Sequence, residues 1–338
     1  MTVGEIMYSV ISMRGATNET VTDYYMDIVY DGIKCVAEAD QFVLGELPPK
    51  SNTVVVATVI EALRLSIRGY PKIGIWLQGV LPEESYMKHH SKLRKWVLER
   101  IEKRAIKKAT LLFAVSDAMV EHYEKKYRLR MRDKTFVMPC FNTEYQSEAF
   151  TEASENRYNK RIFTYVGSLA PWQCFEETLI LYKKIEKHFG DTELRIFTSE
   201  IDTAKKKAME FGLKTYRVAF VDNTQLQREL RQVSYGFILR KDDIVNQVAT
   251  PTKLSSYIAN GVIPIFGSSL NSFYKLSKKM KYALAYDCEG DDDTSVLDFC
   301  AMHINSDEIQ QEYKQIFENY YNRQKYISQI AKFIGSIE

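Results

Sequence analysis

The chain has 338 residues, 45% of them hydrophobic and 27% charged, with a formal net charge of +2 at pH 7. That length predicts two domains rather than one, and the composition is that of a globular protein with a real core. So small a net charge excludes wholesale nucleic-acid binding, and no nucleic-acid partner is expected. The five cysteines (Cys35, Cys140, Cys174, Cys288 and Cys300) are odd in number, scattered and never in a Cys-x-x-Cys pair. They predict a reduced, cytoplasmic chain with no zinc site. No apolar run reaches the length of a membrane span. The N-terminus lacks the basic start and long apolar core of a signal peptide and reads as a first strand over 6–12.

A polar loop with Arg14, Gly15 and Ala16 follows, then a helix from about 19 to 37. Strands are expected over 54–58, 73–77, 111–115 and 135–138, with helices over 60–67 and 117–127 between them. Residues 83–108 read as one long charged helical region. The stretch 142–159 is polar, acidic and poor in aliphatics, as a linker should be. Beyond it the alternation restarts, with strands over 162–166, 193–198, 217–221 and 235–239 and helices over 176–189, 203–211 and 224–232. A last strand is expected over 282–286, and the acidic turn 289–293 reads as solvated surface. The tail, 306–337, has Tyr and Phe at helical spacing. Strands alternating with helices in both halves predict two parallel, doubly wound α/β domains.

The most informative stretch lies between Arg240 and Gly267. The strand at 235–239 ends in charge and leads into a polar loop, then Thr250-Pro251-Thr252-Lys253. Thr250 suits an N-cap and Pro251 the first helical position. The helix, expected over 251–260, stops at Gly261, and 262–266 resumes as a buried strand. A helix N-terminus with a lysine in its first turn, at the carboxyl end of a strand, is a natural phosphate site. A capped surface helix with an exposed Lys253 is the commoner fate of such a sequence.

These residues carry a family resemblance. Thr250-Pro251-Thr252-Lys253 followed by Ser256-Tyr257-Ile258-Ala259-Asn260-Gly261-Val262-Ile263-Pro264-Ile265 resembles the donor-binding segment of family 4 retaining glycosyltransferases. Phe163-Thr164-Tyr165-Val166-Gly167-Ser168-Leu169 resembles the first strand and Gly turn of that family's C-terminal domain. Val218-Ala219-Phe220-Val221, with the helix after it, resembles the strand beside the nucleotide base. The resemblance implies the GT-B fold: two Rossmann-like domains facing across a cleft, with a helical C-terminal tail. It divides the chain into an N-terminal acceptor domain at 1–142, a linker at 143–159 and a nucleotide-sugar domain at 160–305. The tail at 306–338 is then expected to pack back on the N-terminal domain.

For the donor side, the resemblance implies Gly167, Ser168, Trp172, Gln173, Arg240, Asn246, Thr252, Lys253 and Ser256. For the acceptor side it implies Gly15, Gln78, Gly79 and Glu83. Departures from the family's pattern are equally specific. Where the family has an Arg and a Lys-Gly pair after the Gly turn, this chain has Ser168 and then Ala170-Pro171-Trp172-Gln173. Trp172 and Gln173 either replace that cationic clamp or leave Trp172 packed on the next helix. The family's Glu-x7-Glu positions hold Val248 and Ser256, which leaves either a divergent donor site or a chain that has lost catalysis. Gln78 stands where the family often has a His. No catalytic residue is singled out, and no metal or other cofactor is expected.

The implied activity is transfer of a sugar, with retention, from a nucleoside-diphosphate sugar to a hydroxyl of a glycan or lipid-linked oligosaccharide, in surface polysaccharide assembly. The alternative is a non-catalytic sugar-nucleotide binder or a partner subunit of an active transferase. Residues 88–108 are the most basic part of the chain, with apolar residues at helical spacing. They predict either a solvated helix face or peripheral contact with an anionic membrane at its inner face.

Overall fold

The computed structural model describes residues 7–13, 21–150, 156–290 and 293–337. The chain forms two compact units. The first comprises Met1–Asn142, Val248–Thr250 and Asn322–Glu338; the second comprises Thr143–Gln247 and Pro251–Tyr321.

Unit 1 is built on six parallel strands: β1 (Met7–Ser12), β2 (Glu38–Val43), β3 (Thr53–Val56), β4 (Ile73–Leu77), β5 (Leu111–Ala114) and β6 (Thr135–Val137), in the order β2-β1-β3-β4-β5-β6. The central strands are short β-branched or apolar runs, buried from end to end, as a parallel sheet covered on both faces requires. Trp76 of β4 stacks on Tyr25 at a centroid distance of 4.0 Å. Strand β2 was not expected from the sequence. Its residues are mostly exposed, so it is a polar edge strand held by its ladder to β1 and lacks the apolar pattern that betrays a buried one.

The expected single helix over 83–108 is two helices, Leu81–His89 and Lys92–Lys108. His90 adopts the left-handed conformation (φ 51°), and the Ser91 hydroxyl then accepts from the Arg94 amide as N-cap. The helix Arg323–Ile337 packs on Val21–Lys34 through Ile327, Ile330 and Ile334, with Arg323 paired to Asp31.

Unit 2 carries β7 (Arg161–Val166), β8 (Thr192–Phe197), β9 (Tyr216–Ala219), β10 (Tyr235–Ile238), β11 (Ile263–Gly267) and β12 (Leu284–Tyr286), all parallel, in the order β12-β11-β10-β7-β8-β9. Its core is aromatic: Phe163 stacks between Tyr235 and Phe237. The helix Ser306–Asn319 packs in this unit against Thr252–Ala259. The stretch expected to be linker contributes to this unit as well. Arg157 is buried there and donates to the Asn260 carbonyl at 2.7 Å. Asp293, expected to be solvated, accepts from the Tyr286 hydroxyl at 2.7 Å.

Candidate functional site

In unit 2 the strand order reverses between β7 and β10. In an open parallel sheet, the crevice beyond the carboxyl ends at such a switch point is where ligands bind. The two strands deliver Gly167 and Arg240 to that place. Gly167 has φ +127°, a conformation L side chains rarely adopt, and an added Cβ would lie 2.6 Å from Lys253 Nζ. Glycine there satisfies the turn and leaves room for the lysine.

Lys253 stands in the first turn of the helix Thr252–Ala259. Its Nζ donates to Gln173 Oε1 at 2.6 Å and lies 5.3 Å from the Tyr165 ring centroid. Arg240, only 4% exposed, donates through Nη2 to the same Gln173 oxygen at 2.7 Å and through Nη1 to the Leu239 carbonyl at 2.7 Å. Two cations therefore converge on one neutral oxygen. Among the described residues, neither is paired with a carboxylate. Desolvation, and then the Arg240 charge, pushes the half-buried Lys253 ammonium well below its ordinary value, and burial lowers Arg240 as well. Holding two unneutralised cations out of water costs several kcal/mol, a cost that a bound anion offsets.

The helix N-terminus adds to this field. Thr250 does not cap it: the Thr250 hydroxyl accepts from the Cys140 amide at 2.9 Å. Pro251 occupies the N-cap position, and no side chain caps the helix. The first-turn amides of Thr252 and Lys253 thus remain available to an anion. A pocket of about 240 Å³ opens beside Gly167 and Ser168, lined also by Phe197, Thr198, Val221 and Asn223. It lies at the carboxyl ends of β7, β8 and β9, with polar and apolar side chains both in its lining.

The remaining donor-side expectations fare differently. Asn246 is buried, and its amide donates to the Lys241 carbonyl and to Asp243, so it shapes the loop and has no donor left for a ligand. Asp243 is the acceptor in that turn. The Ser256 hydroxyl donates back to the Thr252 carbonyl at 3.2 Å. Trp172 is half-buried on the short turn Pro171–Gln173. Val248, at the other position of the missing acidic pair, is fully buried, and its carbonyl accepts from Ser116 within unit 1.

Unit 1 holds a larger pocket, about 540 Å³, at the carboxyl ends of β3 and β4. Gln78 and Gly79 line it, and the Gln78 amide is fixed by the Ala57 carbonyl at 2.8 Å. A Cβ on Gly79 would collide with the Glu84 carboxylate. Glu83 does not line the pocket: it pairs with Lys126 at 2.8 Å and Lys95 at 3.6 Å. Gly15 lies outside the described residues. Two carboxyls that sequence reasoning missed do line it, Glu84 and Glu102. Glu102 is wholly buried and accepts from Tyr127 at 2.5 Å and Tyr123 at 3.1 Å. Burial pushes its carboxyl up to about 7, and burial raises Glu84 too. On sequence alone both look like solvated residues of a charged helix.

No protein-family model matches the sequence, and no curated protein matches it. Solved structures do. Anabaena HepE, in complex with UDP and glucose, is similar over 98% of this chain and 100% of its own, with a TM-score of 0.69 at 10% identity. An alpha,alpha-trehalose-phosphate synthase (UDP-forming) from Burkholderia vietnamiensis is similar over 95% of this chain and 78% of its own, with a TM-score of 0.61 at 11% identity. A mutant of S. aureus TarM, in complex with fondaparinux, alpha-GlcNAc-glycerol and UDP, gives a TM-score of 0.61 at 8% identity; 94% of this chain spans 59% of it. The chain thus has the GT-B fold of these glycosyltransferases, two Rossmann-like units each on a six-stranded parallel sheet.

Proposed function

We propose that this chain is a glycosyltransferase that takes a nucleoside-diphosphate sugar and moves the sugar to a hydroxyl acceptor. The observation that carries the reading is the Arg240–Lys253 pair, two cations on one neutral oxygen at the sheet's switch point, with uncapped helix amides beside them. A diphosphate supplies the missing negative charge. The structural neighbours add that several chains of this fold were solved with UDP or a UDP-sugar.

In the transfer, the glycosidic bond to the diphosphate breaks and negative charge develops on the departing phosphate oxygen. Lys253, Arg240 and the helix amides are placed to stabilise that charge without reorganising. The acceptor hydroxyl's proton passes to the departing phosphate, so the reading needs no side-chain base at Gln78. Retention, a hexosyl donor, independence from metal and a place in surface polysaccharide assembly belong to this proposal through the family resemblance. We assign the acceptor to the unit 1 pocket. Glu84, half-buried at the pocket wall, is positioned to accept from a sugar hydroxyl, whereas Glu102 is already engaged by Tyr123, Tyr127 and Lys126 and holds the wall in place.

A second reading, a sugar-nucleotide binder without catalysis, draws on buried Val248 and on Ser256 bonded to its own helix, which leave the ribose and sugar without charged acceptors. Thermal melting against a panel of nucleotides and nucleoside-diphosphate sugars tests the shared donor site. A ligand at a hundred times its Kd stabilises the folded form by about 2.7 kcal/mol. A shift with one base, lost in Lys253→Ala, is expected, and no shift with any of them overturns both readings. Release of free nucleoside diphosphate only when acceptor is present separates the transferase from the binder.

A further inference from the structure

We infer that the basic helix Lys92–Lys108 is a membrane-docking surface, which seats unit 1 on a bilayer rich in anionic phospholipid. The surface in question is distinct from the donor site: the exposed stripe and the outward cations of this helix are not among the partners of Arg240 or Lys253, and Glu102, which lines the unit 1 pocket, lies on the buried face.

Two independent properties coincide on this helix. The first is charge. From 92 to 108, seven lysines and arginines are exposed, whereas neither acid in that span is: Glu99 is half-buried and Glu102 wholly buried. The second is an exposed apolar ridge. Leu93 is 72% exposed, Trp96 52% and Val97 41%. These three sit at i, i+3 and i+4, so they form one stripe on the outer face of the helix. A solvated helix face has no use for a tryptophan and a leucine open to water, and a soluble polyanion would be met by the charges alone. An interfacial helix needs both: apolar side chains that enter the headgroup boundary and cations that meet anionic headgroups.

The details fit that arrangement. The Arg100 guanidinium lies 4.9 Å from the Trp96 ring centroid, one turn further along the stripe, so cation and indole can occupy the interface together. The C-terminal end of the helix reaches the neighbouring helix Val59–Ile67, where Lys108 Nζ donates to Ser66 Oγ at 3.2 Å. Ile67, adjacent to that serine, is 76% exposed. Among the described residues no helix is long and apolar enough to cross a membrane, so the contact is one of lying on the surface.

The test is co-sedimentation of the full chain with vesicles of phosphatidylcholine alone or of phosphatidylcholine and phosphatidylglycerol in equal parts. The exposed ridge is replaced by Leu93→Ser/Trp96→Ser/Val97→Ser and the charge by Lys103→Glu/Arg104→Glu/Lys107→Glu. All six positions lie on the outer face, and far-ultraviolet circular dichroism checks folding. The wild type should partition onto the mixed vesicles at least tenfold more than onto phosphatidylcholine and lose that excess at high salt. Each triple variant should lose at least tenfold. Binding that ignores lipid charge overturns the proposal. So does vesicle binding by the ridge variant equal to wild type, which would mark a site for soluble polyanions instead. Nucleotide binding, read by melting on the same variants, should stay unchanged, so failure here is distinct from failure of the donor site.

Discussion

The two units share an architecture and carry opposite electrostatics. In unit 2, Arg240 and Lys253 meet at a strand end with no carboxylate between them. In unit 1, Glu84 and Glu102 line the pocket at the ends of β3 and β4. Both sites hold charge in an environment that disfavours it, and both shift toward the neutral form: the lysine downward, the carboxyls upward. A sheet of parallel strands supplies the crevice in each case; a few side chains at strand and helix ends decide the sign of what fits. In the proposed function the cationic site takes the diphosphate and the unit 1 pocket takes the hydroxyl acceptor.

The comparison breaks most sharply at the cations. A hydrogen bond to a charged group contributes about 1.5–3 kcal/mol, so Lys253→Met and Arg240→Met should each weaken binding of uridine diphosphate by roughly 10- to 150-fold in calorimetry. Lys253→Met should at the same time leave the melting temperature of the free protein unchanged or higher, because it removes a desolvated cation that has no counter-charge. A large fall in melting temperature with intact affinity would make the lysine structural and dissolve the contrast. Glu102→Gln, in the other unit, should leave the nucleotide affinity within about twofold.

The carboxyl pocket has its own pH signature. Burial pushes the Glu102 carboxyl up to about 7 in the folded chain, from an ordinary 4.5. Between those values the folded state binds the proton more tightly than the unfolded state, so its contribution is full below pH 4.5 and is lost as pH rises through 7. The difference corresponds to about 3 kcal/mol. Denaturant unfolding at pH 5 and pH 8 should show wild type losing most of that amount relative to Glu102→Gln. Parallel pH profiles for the two proteins would mean that Glu102 stays ionised throughout and that the pocket admits water freely.

Much of the fold was legible because burial in parallel sheets is written as short apolar runs. The strand over 73–77 and the helix over 117–127 coincide with what folds, and Thr135–Val137 differs by one residue. Edge strand β2 was illegible because EADQFV pairs with β1 while keeping most of its side chains in water. The donor-side expectation rested on residue types that anion binding demands, a glycine turn and a lysine in a first helical turn, and the structure brings Gly167 and Lys253 together. What failed there was local hydrogen bonding: Thr250 serves Cys140 instead of the helix, and Asn246 serves its own loop. The carboxyl pocket was hidden for a different reason. Glu102 is buried by Tyr123 and Tyr127, more than twenty positions away on another helix, and no periodicity within its own helix marks that contact. Glu83, beside Glu84, shows how one position of helical rotation takes a carboxyl out of the pocket lining and onto Lys126, a lysine that also reaches Glu102 at 3.4 Å.

Gly167 joins strand to cation, and its substitution should have an intermediate effect. Alanine there must hold a backbone conformation that costs about 1–3 kcal/mol, and its Cβ must push Lys253 Nζ away. Gly167→Ala should lower the unfolding free energy in urea by that amount and weaken uridine diphosphate at least tenfold, whereas a change in stability alone would place the lysine's working position elsewhere.

The smallest effect concerns how unit 1 brings its two pocket carboxyls together. Glu84 belongs to the helix Leu81–His89 and Glu102 to Lys92–Lys108, and the chain turns between them at His90 and Ser91. Were 83–108 one straight helix, residues 84 and 102 would lie five turns, about 27 Å, apart along its axis and could not line one pocket. The turn is held by an N-cap and opposed by a left-handed histidine. Ser91→Ala should therefore cost about 1 kcal/mol, a fall of about 2–4 °C in the melting temperature of a unit the size of unit 1. His90→Gly, one position earlier, relieves the left-handed strain and should raise it by a smaller amount. Opposite signs at adjacent residues would show that the break is encoded locally; a fall in both would mean that packing of the two helices imposes it, and the carboxyl pocket would then owe its shape to the core rather than to the turn.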